Sequence, residues 1–245
     1  LDLSKKWICI HNRDSGYLKR YDHDFSYHSY RDSDINNFIK SVKSMNDRGF
    51  IVFRMGKVQN KKLNYSNPLF FDYPFIENKS DFNETFLLSN CMAYIGSDSG
   101  VGDVPLIFGR PRFLVNFSLT LLYIFHNDGC SSSYKNKYSI IFKHICDKNN
   151  NKLSLRDIFK NDLFFSFNTN DFIKKNLTVI ENNQDEILDI TLDAIENKDY
   201  MSSRDYNLQK KFWDIYYENT NFKRKEDIPV KICSKFLEKN GYILQ

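Results

Sequence analysis

Residues 96–100 read Gly-Ser-Asp-Ser-Gly and stand between a short apolar run, residues 92–95, and an apolar segment that Gly109 and Pro111 close. That order predicts a strand, a tight turn and a short helix. The turn would bring the Ser97 and Ser99 hydroxyls and the bare N–H of Gly100 to a helix N-terminus, where partial positive charge favours an anion such as phosphate. The same small polar residues are what an ordinary helix cap uses. Taken alone, the stretch admits both readings.

The residues after the other apolar runs bear on the choice. His11, Asn12, Arg13 and Asp14 follow the first run and Arg54 ends the second, while Arg31 lies in the polar loop between them. A guanidinium forks onto phosphate oxygens and helix-terminal N–H groups take the rest. His11, Arg13, Arg31, Arg54, Ser97, Ser99 and Gly100 are therefore the candidate phosphate-binding set, against the alternative that these arginines only make surface ion pairs. Other chemistries are absent from the sequence. There is no Gly-x-x-x-x-Gly-Lys-Ser/Thr for a P-loop and no Gly-x-Gly-x-x-Gly after the first strand for a dinucleotide fold. Residues 96–100 match the outline of a Gly-x-Ser-x-Gly nucleophile elbow, but Asp98 stands where the nucleophilic hydroxyl belongs. No histidine or carboxylate pair has metal-ligand spacing, so no metal is expected.

The elements that must hold these residues alternate. A strand over residues 6–11 leads into a long polar loop. Ser33 or Asp34 then caps a helix with Ile35, Phe38, Ile39, Val42 and Met45 at helical spacing and Gly49 at its left-handed end. A strand over 50–54 follows, then a polar loop over 60–68 and a short aromatic run over 70–75. Ser80 caps a second helix with Phe82, Phe86 and Leu87 as its expected buried face. The Gly96 stretch and a strand over 112–116 complete the series. Strands alternating with helices predict an α/β fold with a Rossmann-like parallel sheet, whose ligands sit beyond the carboxyl ends of the strands. Further on, residues 119–125 are apolar, 127–138 read as a loop and 154–159 as a short helix. The last seventy or so residues are mostly helical, with Asn183 and Glu186 spaced as a capping box. The expected division is a nucleotide-binding domain over 1–168 and a helical C-terminal extension over 169–245 packing on it.

Composition narrows the class. The chain has 245 residues, is 41% hydrophobic and 16% aromatic, and carries 35 basic against 31 acidic residues for a net charge of +4. That is enough apolar material for a core and too balanced a charge for a nucleic-acid partner. No apolar run approaches the roughly 20 residues that span a bilayer, and no charged-then-apolar leader opens the chain. Five scattered cysteines without a Cys-x-x-Cys fit reduced, mostly buried thiols in a cytoplasmic protein.

In combination, several segments resemble a bacterial family of surface-carbohydrate glycosyltransferases of the two-domain GT-B type. They are Ile10-His11-Asn12-Arg13-Asp14-Ser15-Gly16-Tyr17, His28-Ser29-Tyr30-Arg31-Asp32-Ser33-Asp34-Ile35, Arg48-Gly49, Phe53-Arg54-Met55-Gly56 and Lys79-Ser80-Asp81-Phe82. Ile95-Gly96-Ser97-Asp98-Ser99-Gly100, followed by Pro105 and Gly109-Arg110-Pro111, is similar to the nucleotide-sugar segment of heptosyltransferase-like enzymes. Val101-Gly102-Asp103 stands where those enzymes carry a histidine. His11-x-Arg13 is similar to the His-x-Arg element of fucosyltransferases, whose arginine grips the donor's β-phosphate.

The resemblance implies the donor-binding half of a metal-independent, inverting class of polysaccharide-building enzyme, with a nucleotide-sugar donor as substrate and no separate cofactor. It also implies a glycan or lipid-linked glycan acceptor reached at the inner face of the membrane, and an N-terminal acceptor-binding half beyond this chain. Such transfer needs a base to deprotonate the acceptor hydroxyl while positive charge takes the leaving diphosphate. Asp14, His28, Asp32 and Asp81 are the candidates for that base. A non-catalytic nucleotide-sugar or carbohydrate-binding domain, or a hydrolysing nucleotide-sugar epimerase, are the alternatives.

Overall fold

The computed structural model describes residues 5–125, 138–196, 202–224 and 228–245. The strands β1 (Trp7–His11), β2 (Ile51–Arg54), β3 (Phe70–Asp72), β4 (Ala93–Gly96), β5 (Arg112–Phe117) and β6 (Tyr138–Phe142) all run parallel in one sheet. A separate antiparallel ribbon joins β7 (His144–Cys146) to β8 (Thr178–Ile180), and β9 (Lys231–Ile232) then returns to the main sheet as its seventh strand. The order is β3-β2-β1-β4-β5-β6-β9. Every residue of β1, β2, β4, β5 and β6 is buried, as expected of strands covered on both faces. This is the Rossmann-like α/β sheet.

The chain moves outward from β1 to β3 in one direction, then crosses back to β4 and continues the other way. The reversal lies between β1 and β4, where His11 pairs with Gly96. Gly96 is required there. A Cβ would lie 2.4 Å from the His11 carbonyl oxygen and 2.8 Å from the Tyr94 hydroxyl.

Right-handed crossovers in opposite directions put their helices on opposite faces. Helix α1 (Ile39–Asp47) packs beside α6 (Gln184–Glu196), and α2 (Asp81–Asn90) packs beside α3 (Gly100–Ile107). A 3-10 turn over Ile35–Phe38 precedes α1, with the Asp34 side chain accepting from the Asn36 N–H. Ile35, Phe38, Val42 and Met45 are wholly buried, and Gly49 ends the helix at φ +82°. Ser80 caps α2, but the buried face of that helix is Leu87, Leu88 and Ser89. Phe82 is 76% exposed and Phe86, one turn on and stacked against it, is also exposed, so the two form an outer stripe of α2.

The segment 169–245 is largely helical and packs on the same sheet, and it also supplies β9. It contains α5 (Thr169–Lys174), α6, α7 (Ser203–Glu218) and α8 (Ser234–Lys239), after α4 (Leu155–Lys160). Asn183 and Glu186 close the capping box of α6 in both directions. Phe142 of β6 stacks on Phe212 of α7 and meets Phe236 of α8 edge-on, so one core runs from sheet to C-terminus. The apolar residues 119–125 form a 3-10 helix, and the loop expected over 127–138 lies almost wholly outside the described residues. Cys9, Cys91, Cys146 and Cys233 are buried free thiols. Among the described residues no helix is long and apolar enough to cross a membrane.

Candidate functional site

A cleft of about 650 Å³ opens at the carboxyl ends of β1 and β4, within the roughly 300–1,000 Å³ of small-ligand sites and at the reversal of strand order where such sheets bind ligands. Its walls come from five segments. The loop after β1 contributes His11, Arg13, Asp14 and Tyr17, and the 3-10 turn Ser26–Arg31 contributes His28 and Arg31. The loop after β2 gives Gly56 to Gln59, α2 gives Asp81, Glu84, Thr85 and Leu88, and the start of α3 gives Ser99, Gly100, Val101 and Val104.

Arg13 and Arg31 supply the positive charge. Arg13 donates through Nη1 to the Asp32 carboxylate and, at 3.1 Å, to the His28 carbonyl. Its Nε and Nη2 bond no protein group among the described residues. Arg31 donates to the Asp98 carbonyl at 2.6 Å and reaches the Asp98 carboxylate at 3.5 Å. The other Asp98 oxygen lies 3.3 Å from buried Arg112. Asp98 therefore does not cap α3; it fixes Arg31 at the rim and ties the turn to β5. Ser99 is the residue before α3 and makes no side-chain cap bond, while a Cβ at Gly100 would meet nothing within 4 Å. The Ser99 carbonyl takes the Gly102 N–H at 2.8 Å, and Ser99, Gly100 and Val101 at the start of α3 line the cleft together with the two arginines.

Two of the expected ligand groups, Arg54 and Ser97, and one base candidate, Asp32, sit elsewhere. Arg54 is fully buried beneath the cleft and does not line it. Its guanidinium donates to Asn12 Oδ1 through Nε at 3.1 Å and Nη2 at 2.9 Å, to Gln59 Oε1 at 3.1 Å, to the Lys61 carbonyl at 2.7 Å and to Asp72 at 3.1 Å. With its donors consumed, it braces the loops after β1 and β2. Ser97 accepts from the Arg13 N–H at 3.2 Å and contacts the Ser33 hydroxyl at 3.3 Å, joining the exits of β1 and β4 below the cleft surface. Asp32 does not line the cleft; its carboxylate holds Arg13. Burial raises the Asp32 pKa while Arg13 opposes the shift.

The remaining base candidates are unequal. Asp14 lines the cleft, but its two oxygens accept the Gly16 and Asn60 N–H groups at 2.8 and 2.9 Å. His28 lines the cleft on the arginine side, and burial followed by the Arg31 and Arg13 charges lowers its pKa, which keeps it neutral. His11 bonds the Met55 carbonyl through Nδ1 at 3.0 Å, which makes Nδ1 the protonated nitrogen, and burial pushes its pKa down to about 4. Asp81 is exposed and pairs with Lys57 at 3.0 Å.

Two groups carried no signal in the sequence. Glu84 looks like any acidic residue in the first turn of a helix, yet it faces the cleft. Burial first, and then the Asp81 charge, raise its pKa. Lys143 follows β6, is buried, and donates to the Asp32 carbonyl; burial brings its pKa down to about 8, against the opposing charges of Glu181 and Asp32. It stiffens the Asp32–Arg13 pair from below. Among the described residues no group of three or more His, Cys, Asp or Glu side chains is placed to hold a metal ion.

No family model, curated protein or solved structure matches this chain.

Proposed function

We propose that this chain is the donor-binding part of a GT-B-type glycosyltransferase, moving a sugar from a nucleoside-diphosphate donor onto a surface glycan. The observation that carries the reading is the cleft at the β1–β4 reversal, where Arg13, Arg31 and the start of α3 converge. Two guanidiniums and helix-terminal N–H groups suit a diphosphate, and they stabilise the charge that develops as it leaves. Leu88, Val101 and Val104 give the same cleft an apolar lining that suits a flat or hydrophobic part of the donor. The sequence resemblance to surface-carbohydrate glycosyltransferases points the same way.

Thermal shift with a panel of UDP-, GDP- and CMP-sugars tests the donor. At least one should raise the melting temperature of the wild type, and none should do so in Arg13→Ala. No shift with any of them counts against the reading. Release of nucleoside diphosphate that depends on an added glycan acceptor separates a transferase from a binding domain.

A further inference from the structure

Sugar transfer needs a group that accepts the acceptor's proton, and the cleft itself narrows the choice. We infer that Glu84 is the base that deprotonates the acceptor hydroxyl, an inference that rests on the glycosyl-transfer reading. Among the described residues three carboxylates line the cleft: Asp14, Asp81 and Glu84. The backbone N–H groups of Gly16 and Asn60 occupy Asp14, and Asp81 is 84% exposed and paired with Lys57. Glu84 is half-buried and lines the cleft from α2, a wall separate from the segments after β1 that bring in Arg13 and Arg31. A base belongs on the side of the anomeric carbon away from the leaving group, and the arginines mark the leaving-group side.

The groups around Glu84 suit that task. Asp81, on the same helix, raises its proton affinity; Lys57 from the loop after β2, Lys79 before α2 and the Gly56 N–H lower it. The Cys9 thiol and the Tyr73 phenol also feel its charge. Burial dominates and leaves the carboxyl above its ordinary range, closer to the working pH of a proton acceptor. His11, brought to about 4 by burial, is a weaker base. In the transfer step the acceptor oxygen bonds to the anomeric carbon as its proton passes to a Glu84 oxygen. The bond from that carbon to the diphosphate oxygen breaks, and the electron pair leaves with the diphosphate toward Arg13 and Arg31. Glu84 then returns the proton to water.

The test uses the full chain with UDP-glucose, UDP-galactose, UDP-N-acetylglucosamine, GDP-mannose and GDP-fucose, with water as the acceptor. Glu84→Gln should lower sugar hydrolysis by about 10²–10⁴-fold and remove the acid limb of the pH–rate profile. Calorimetry with UDP and GDP should give an affinity within about threefold of wild type, the signature of an interaction made only in the transition state. Independently of turnover, carboxyl-labelled glutamate NMR should show the Glu84 pKa rising by roughly half a unit or more when UDP or GDP saturates the wild type. Unchanged hydrolysis, affinity lost along with turnover, or a Glu84 resonance indifferent to the bound nucleotide each overturns the assignment. Failure of both UDP and GDP to bind would instead sink the donor reading, and this inference with it.

Discussion

Arg54 provides the sharpest separation between bracing the site and binding its ligand. Its guanidinium is fully buried and spends its donors on Asn12, Gln59, Lys61 and Asp72. Replacing it with alanine leaves the Asp72 carboxylate, which is 13% exposed, without its cation, and leaves Asn12 Oδ1 without donors. Removing one partner of a buried ion pair costs about 3–5 kcal/mol. At roughly 2–4 °C per kcal/mol for a chain of this size, the melting temperature should fall by roughly 6–20 °C. Urea unfolding followed by the fluorescence of Trp7 and Trp213, both buried, measures the loss directly. Adding Asp72→Leu to Arg54→Met should recover part of it, since no uncompensated charge then remains. An Arg54→Ala protein as stable as wild type, to within about 1 kcal/mol, that had nevertheless lost nucleotide binding would refute the brace and restore Arg54 to the ligand.

The other predictions concern the cleft and its floor. Arg13→Ala should abolish any nucleotide-induced thermal shift yet lower the melting temperature less than Arg54→Ala, because the Asp32 side chain it leaves is 29% exposed and can hydrate. Gly96→Ala, whose Cβ would meet the His11 carbonyl oxygen at 2.4 Å, should force β1 from β4 and destabilise by at least about 1–3 kcal/mol in thermal melts; an unchanged melt would contradict it. Burial holds His11 at about 4 in the folded chain, below its ordinary 6.5, so the unfolded chain takes up that proton first as pH falls. Its contribution is complete above about pH 6.5 and is lost toward about pH 4, roughly 3 kcal/mol in all. The stability difference between wild type and His11→Gln across that window isolates the effect, and no pH dependence in the difference would rule it out.

Backbone pattern and side-chain direction were not equally legible in the sequence. The apolar runs that became β1, β2, β4 and β5, the periodicity of α1 and the capping residues Asp34, Ser80 and Asn183 all act locally, so a short window reveals them. Strand β6 carries the same apolar, β-branched signature over Tyr138–Phe142, whereas β9 is two residues long, too short to leave a local pattern. The site shows the same limit. A residue at a strand end is near the cleft by topology, which served for His11 and Arg13. Whether its side chain rises into the cleft or turns beneath it depends on partners supplied elsewhere. Arg54 is drawn under by Asn12 and Asp72, Ser97 by Ser33, and Asp98 outward by Arg31 and Arg112. Glu84 escaped for the converse reason, since only the packing of α2 beside α3 turns an ordinary first-turn glutamate into a wall of the cleft.

The late return of the chain to its own sheet governs how it can be made. By the time β6 leaves the ribosome, six parallel strands are available, yet α6, which covers the α1 face, begins only at Gln184, and β9, which pairs the outer side of β6, only at Lys231. Throughout that interval the nascent chain presents an uncovered apolar face and an unpaired strand, both templates for association with neighbouring chains. Slower synthesis at low temperature and ample chaperone should therefore decide soluble yield more than any feature of the cleft. A stop codon placed before β9 would leave the nascent sheet permanently in its association-prone form.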